Sequence, residues 1–324
     1  MNLYRSVRAV ADAGSTGTGV IDWGSVAESA KAATEPGDIT LTPDEEAGYA
    51  NDVRDARDRL RTIGEVEFDL PNAIEVQNRH HWIDANVETF RRVMKPIEEE
   101  ADTLFPDIAR SVNTGTMAFT LSFLSKNVLG QYDPLLLADA EEHGLYFVRP
   151  NILRVADELR VSYPRFRRWI AFHEVAHAAE FGAAPWLPEY LESRMHEAVT
   201  SIGSISLRSA PLDSQPLKEL NVAMTAVEGY AELLMDRAFD DDYTDLRRKL
   251  DARRRGGGPI ARVMRRLLGL GIKRQQYERG ARFFEAVADA RGIGAASVVW
   301  ADPANLPTDA EIDDPAAWLR RVDP

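Results

Sequence analysis

Apolar positions recur at three- and four-residue spacing along most of the chain, and strict two-residue alternation is rare. The pattern predicts a mainly α-helical molecule with a small β element. Asp22-Trp23 opens a helix running to about Ala33, closed by Pro36-Gly37. Thr42-Pro43-Asp44-Glu45 forms a capping box with Pro at the first helical position. The helix that follows, to about Arg61, is charged on most faces with Leu60 and Ile63 as sparse anchors, so it is expected at the periphery. Weak alternation marks Glu65–Leu70 and Ile74–Gln77 around Pro71-Asn72. His80-His81-Trp82 opens a long helix to about Ala101, with a break expected at Pro96. Asn113 to Leu129 carries Met117, Phe119, Leu121, Phe123 and Leu124 on several faces and is expected as a buried helix. Leu129-Gly-Gln-Tyr-Asp-Pro134 then gives a turn. Leu145-Tyr-Phe-Val-Arg149 is the clearest strand, ended by Pro150, with Asn151 expected to cap the next helix. It is either a short core strand or one whose free edge pairs with an extended peptide.

One helical stretch carries chemistry. Ser162 is placed to N-cap, Pro164 suits a first turn, Phe166, Trp169, Ile170 and Phe172 supply apolar faces, and Pro185 and Pro188 end the helix. Within it lies His173-Glu174-Val-Ala-His177. Steps of about 100° per residue put the two His about 40° apart on consecutive turns, with Glu174 in the same arc. Two imidazoles on one face can grip one metal ion, and the adjacent carboxylate can reach a water beside it. The bland alternative is a surface helix with two neighbouring His. His80 and His81 are adjacent and point in different directions, so they form no such pair.

A catalytic zinc site needs a third protein ligand. The metzincin continuation is absent, with Glu180 and Ala183 where its Gly and His stand. Ala226-Val-Glu228-Gly-Tyr-Ala-Glu232 offers a better candidate, on a helix begun near Ser214-Gln-Pro216. Glu228 and Glu232 lie one turn apart, so Glu228 is expected on the metal and Glu232 on the far nitrogen of a ligating His. A solvated acidic face is the competing account, against which Val227, Tyr230, Ala231, Leu233 and Leu234 argue for partial burial. His196 and Tyr230 are the spare candidates, each as an oxyanion donor or a further ligand.

Composition narrows the chemistry. Cysteine is absent from the 324 residues, so a metal must be held by imidazole and carboxylate. Net charge is −13, and only six of the 39 basic residues are Lys. That balance argues against nucleic acid as the main partner. It also weakens the anion-binding reading of the Arg-rich stretch from Arg247 to Arg282, in which Arg253-Arg-Arg255 precedes Gly256-Gly-Gly258. No apolar stretch near Met1 reads as a signal peptide, and the run from Met117 to Leu124 is too short to span a bilayer. The expectation is a cytoplasmic protein with no membrane or nucleic-acid partner.

Trp82-Ile-Asp-Ala-Asn86, Leu129-Gly-Gln-Tyr-Asp133, Pro150-Asn151, the His173–His177 motif, Pro185-Trp186-Leu187, Glu228–Glu232, Asp251-Ala-Arg-Arg-Arg255 and Asp313-Asp-Pro-Ala-Ala-Trp318 together resemble a zincin-like metallopeptidase family. That family is labelled as associated with biosynthesis of the deazaflavin coenzyme. Glu-x-x-x-Glu is similar to the gluzincin Glu-x-x-x-Asp, in which the first acid binds zinc and the second supports a His. The resemblance implies a zincin-like fold and a zinc-dependent hydrolase acting on a peptide or protein substrate. It implies Zn²⁺ held by His173, His177 and Glu228, with Glu174 as general base. The expected division is a helical region over 1–105 packed on a catalytic region over 106–324. The rival to an active hydrolase is a zinc-stabilised scaffold of the same family.

Overall fold

The computed structural model describes residues 19–71, 73–100, 106–133, 144–203, 215–239, 243–255 and 274–324. The stretch at Met1, Pro134, Ser214 ahead of α8 and the Gly256–Gly258 connector lie outside the described residues. The described residues are mostly helical, with one three-stranded sheet among them. In order come α1 (Trp23–Ala32), α2 (Pro43–Gly64), β1 (Ala73–Gln77), α3 (Arg79–Glu100), α4 (Pro106–Ser125), β2 (Gly130–Asp133), β3 (Gly144–Val148), α5 (Arg149–Leu159) and α6 (Tyr163–Ala183). They are followed by α7 (Leu187–Gly203), α8 (Gln215–Ala238), α9 (Thr244–Arg255), α10 (Arg274–Arg291), α11 (Ile293–Ser297), α12 (Asp309–Asp313) and α13 (Pro315–Val322).

Several helix ends follow from local chemistry. Asp22 accepts from the Ser25 amide at 3.1 Å and starts α1. Thr42 and Glu45 close a reciprocal capping box at α2. Ser162 occupies the N-cap of α6 but makes no side-chain cap bond there. Asn151 is not a cap: it lies inside α5, fully buried, donating to the carbonyls of Ser125 and Val128 and accepting from Arg79. Helix α3 runs through Pro96 without the expected break.

Helix α2 corrects the peripheral placement. It buries Tyr49, Val53, Ala56 and Leu60 in the main core, which also contains Phe166, Trp169, Ile170 and Phe172 of α6. The charge that made it look peripheral is partly internal: Arg167 of α6 donates to Asp52 at 2.7 Å, and each side chain is 9% exposed. Helix α4 is less enclosed than its composition suggests. Met117, Leu121 and Leu124 join a second core cluster with Val26, Trp82 and Ile83, while Phe119 is 65% exposed.

The sheet order is β1-β3-β2. β1 pairs with β3 in parallel, from Ala73 opposite Gly144 to Gln77 opposite Val148. β2 pairs antiparallel, with Gly130 opposite Phe147 and Asp133 opposite Gly144. β3 is therefore the central strand, buried at Leu145, Phe147 and Val148, and has no free edge for a peptide. The segment expected as a turn, Gly130–Asp133, is an edge strand, and it packs beside α6. Residues 66–70 form no strand. Trp82 donates to the Gln131 side chain at 2.7 Å, and Gln131 donates to Asn86 at 3.0 Å, which ties β2 to α3.

Candidate metal centre

Helix α6 passes through the core with Val175, Ala176, Ala178, Ala179 and Phe181 buried around the motif. Its helical phase places His173 and His177 together, with ring centroids 4.8 Å apart. Helix α8 brings Glu228 to them. Donor atoms of His173, His177 and Glu228 lie within 4.8 Å of one another, the one such group among the described residues. Donors on one tetrahedral zinc sit roughly 3.4 Å apart, given metal–ligand lengths of about 2.0–2.2 Å, so modest side-chain adjustment lets these three share an ion. The donor set also fits chemically. Two imidazoles and a carboxylate match known catalytic zinc sites.

Glu228 reaches the site because α8 is held on its far side at close range. A Cβ at Gly229 would lie 2.4 Å from the Gly280 backbone of α10, so the two helices cross nearly backbone to backbone. Tyr230 directs its hydroxyl to Ser297 of α11. It is fully buried, its hydroxyl is 2.7 Å from Ser297, and its ring meets Phe284 and Trp300 edge to face. That hydroxyl is engaged with Ser297, whereas the expectation gave Tyr230 a place beside the His pair. Glu232 accepts from Arg247 at 2.7 Å. A carboxylate beside His177 is Glu180, whose Oε2 lies 2.9 Å from Nδ1. His196 is exposed on α7 and stands outside the ligand group. His80 bonds the Thr34 carbonyl at 2.7 Å and serves the fold.

Glu174 is 7% exposed and accepts from the Tyr132 amide at 3.1 Å. The β2 backbone lies so close that a Cβ at Gly130 would fall 2.6 Å from Glu174 Cγ and 2.7 Å from Oε1. Burial raises the Glu174 carboxyl to about 7, with Glu228 adding to the rise and with His177 and the Tyr132 amide opposing it. His177 is raised because the carboxylates of Glu180, Glu228 and Glu174 outweigh the burial that lowers it. Glu180 is raised chiefly by burial. The sequence reading missed the Tyr132 amide, Gly130 and Glu180. Glu180 left one signal, a lone acid three residues past His177 amid small and apolar neighbours.

Among the described residues, no helix is long and apolar enough to cross a membrane. No curated protein matches the chain. A crystal structure from Chloroflexus aurantiacus, of a protein provisionally called a hydrolase and described as having a novel fold, superposes with a TM-score of 0.76. The two are 30% identical over 94% of this chain and 99% of that one. The profile for zincin-like metallopeptidases matches residues 21–319, and with that extent of match the chain belongs to the zincin-like metallopeptidase family.

Proposed function

We propose that the protein is a zinc-dependent hydrolase that cleaves peptide or amide bonds, with His173, His177 and Glu228 holding the ion. The observation that carries this is the convergence of those three donors from α6 and α8 beside a buried carboxylate, Glu174. Family membership and the donor cluster support a metal-dependent hydrolase; the bond cleaved is our extension. When bound, the ion supplies Lewis acidity that brings a water's pKa down toward ~7.

Glu174 then acts as general base. Its carboxylate takes a proton from the water as the water oxygen bonds to the carbonyl carbon. It returns that proton to the amine nitrogen as the carbon–nitrogen bond breaks. Its burial and the Tyr132 amide hold the carboxylate in one place for both transfers. An extended substrate would lie along the outer edge of β2, where the backbone already faces Glu174. Hydrogen exchange with a saturating extended peptide should then protect β2 amides; unchanged exchange there rejects this pose.

The primary test is metal analysis of the purified protein together with turnover of a peptide library. Glu228→Ala should lose most of its zinc, and full occupancy in that variant refutes the ligand assignment. Glu174→Gln should keep zinc and lose turnover by ~10²–10⁴-fold. A second reading is a zinc-stabilised scaffold, favoured by the engagement of Glu174 with the Tyr132 amide in a site only 7% exposed at that residue. Zinc-loaded protein that turns over no faster than Glu174→Gln selects it.

A further inference from the structure

Glu180 is an expensive residue to bury, and neither the ligand set nor the proton transfers use it. It is 0% exposed, on a helix whose surrounding positions are Ala176, Ala179 and Phe181. One oxygen, Oε2, lies 2.9 Å from His177 Nδ1; the other, Oε1, is buried without a hydrogen-bond partner. Burying a carboxylate is strongly unfavourable in general unless its charge is matched, whereas an apolar side chain there costs nothing of the kind. The helix geometry explains the contact. Residue 180 follows His177 by three positions, on the same stripe, and helical side chains lean toward the N-terminus, so its carboxylate reaches back under the imidazole.

We infer that Glu180 is a positioning residue for the metal centre: it accepts a hydrogen bond from His177 Nδ1–H, fixes the ring plane, and so presents Nε2 as the donor toward His173 and Glu228. The inference rests on the metal-site reading above and deepens it by assigning the tautomer and the group that enforces it. An imidazole has two nitrogens, and in a neutral ring one carries hydrogen while the other carries the lone pair. A carboxylate acceptor on Nδ1 decides between them and makes the other nitrogen more basic. The expected location for such an acid was Glu232, on the helix that supplies Glu228. The structure gives Glu232 to Arg247 at 2.7 Å and sets an acid from the His helix itself under His177.

The test uses the full-length protein and zinc alone. Zn²⁺ dissociation constants are measured by chelator competition for wild type, Glu180→Leu and Glu180→Gln, alongside thermal melts of the metal-free forms. Glu180→Leu should bind Zn²⁺ about 10- to 100-fold more weakly. Its metal-free melting temperature should equal or exceed that of wild type, a split that a purely structural acid would not produce. Glu180→Gln keeps an oxygen able to accept from Nδ1 and should recover part of the affinity. Nitrogen NMR of zinc-loaded, ¹⁵N-histidine-labelled wild type should show His177 metallated at Nε2 and protonated at Nδ1, which needs no variant to fold. Wild-type affinity in Glu180→Leu, or metallation at Nδ1, overturns the inference and leaves the site standing. Wild-type protein that binds no Zn²⁺ sinks both.

Discussion

At Glu174, burial pushes the carboxyl toward its neutral form, while the Tyr132 amide holds it in one place. The hydrogen bond exists because residue 130 has no side chain: a Cβ there would sit 2.6–2.8 Å from the carboxylate group. Gly130→Ala should therefore displace the base and spare the ligands. Turnover is expected to fall by about 10²-fold with zinc content unchanged, since a displacement of about 1 Å is enough for such a loss; kcat measured beside metal analysis decides it. Glu311 shows the opposite balance of forces. Arg321 bonds both of its oxygens, at 2.7 and 2.9 Å, and holds its carboxyl below the usual carboxylate range. A carboxyl lowered on folding stabilises fully above its unfolded pKa, and loses that stabilisation as pH falls through the folded value. Glu311→Gln should thus melt below wild type at neutral pH, with the gap closing once the pH drops below about 4.

Helix α8 shows how one element serves two faces. Glu228 meets the His pair on one side, while Gly229 allows α10 to cross on the other. Gly229→Ala should force these helices apart and cost about 1–3 kcal/mol, read as a lower midpoint in denaturant melts. Pulling α8 off its seat should weaken zinc binding as well. Helix α2 was misplaced by its sequence because charge density reports average exposure and not which charges find partners. Asp52 is one of six acids between Asp44 and Asp58, and nothing local marks it as the one that meets Arg167 across more than a hundred residues. Removing a partner from a buried pair leaves an uncompensated charge, so Asp52→Ala should cost about 3–5 kcal/mol by thermal or denaturant unfolding.

Across the whole molecule, the C-terminal segment closes the core that holds α6 and α8. Trp300 and Trp318 are at most 1% exposed, and Trp318 donates to the Asn305 carbonyl at 2.7 Å. Trp318→Ala should lower stability by about 3–5 kcal/mol, measured as a fall in the melting midpoint. Local sequence settled only part of what residues within about one helical turn govern: the cap expected at Asn151 and the break expected at Pro96 did not form. The capping box at Thr42, the helix starting at Trp23, and the shared stripe of His173 and His177 depend on fixed helical phase and neighbouring donors. Glu228 was legible for the same reason, as an acid on a partly apolar helix, once two His asked for a third ligand. Tertiary structure alone decided which strand is central, that β2 presses its backbone on Glu174, that Tyr230 turns into the core, and that Glu180 rather than Glu232 lies against His177 Nδ1. Those outcomes hinge on which surfaces meet across long stretches of chain. Strand order and helix crossing are settled by the packing of the whole core, so no short window of residues contains them.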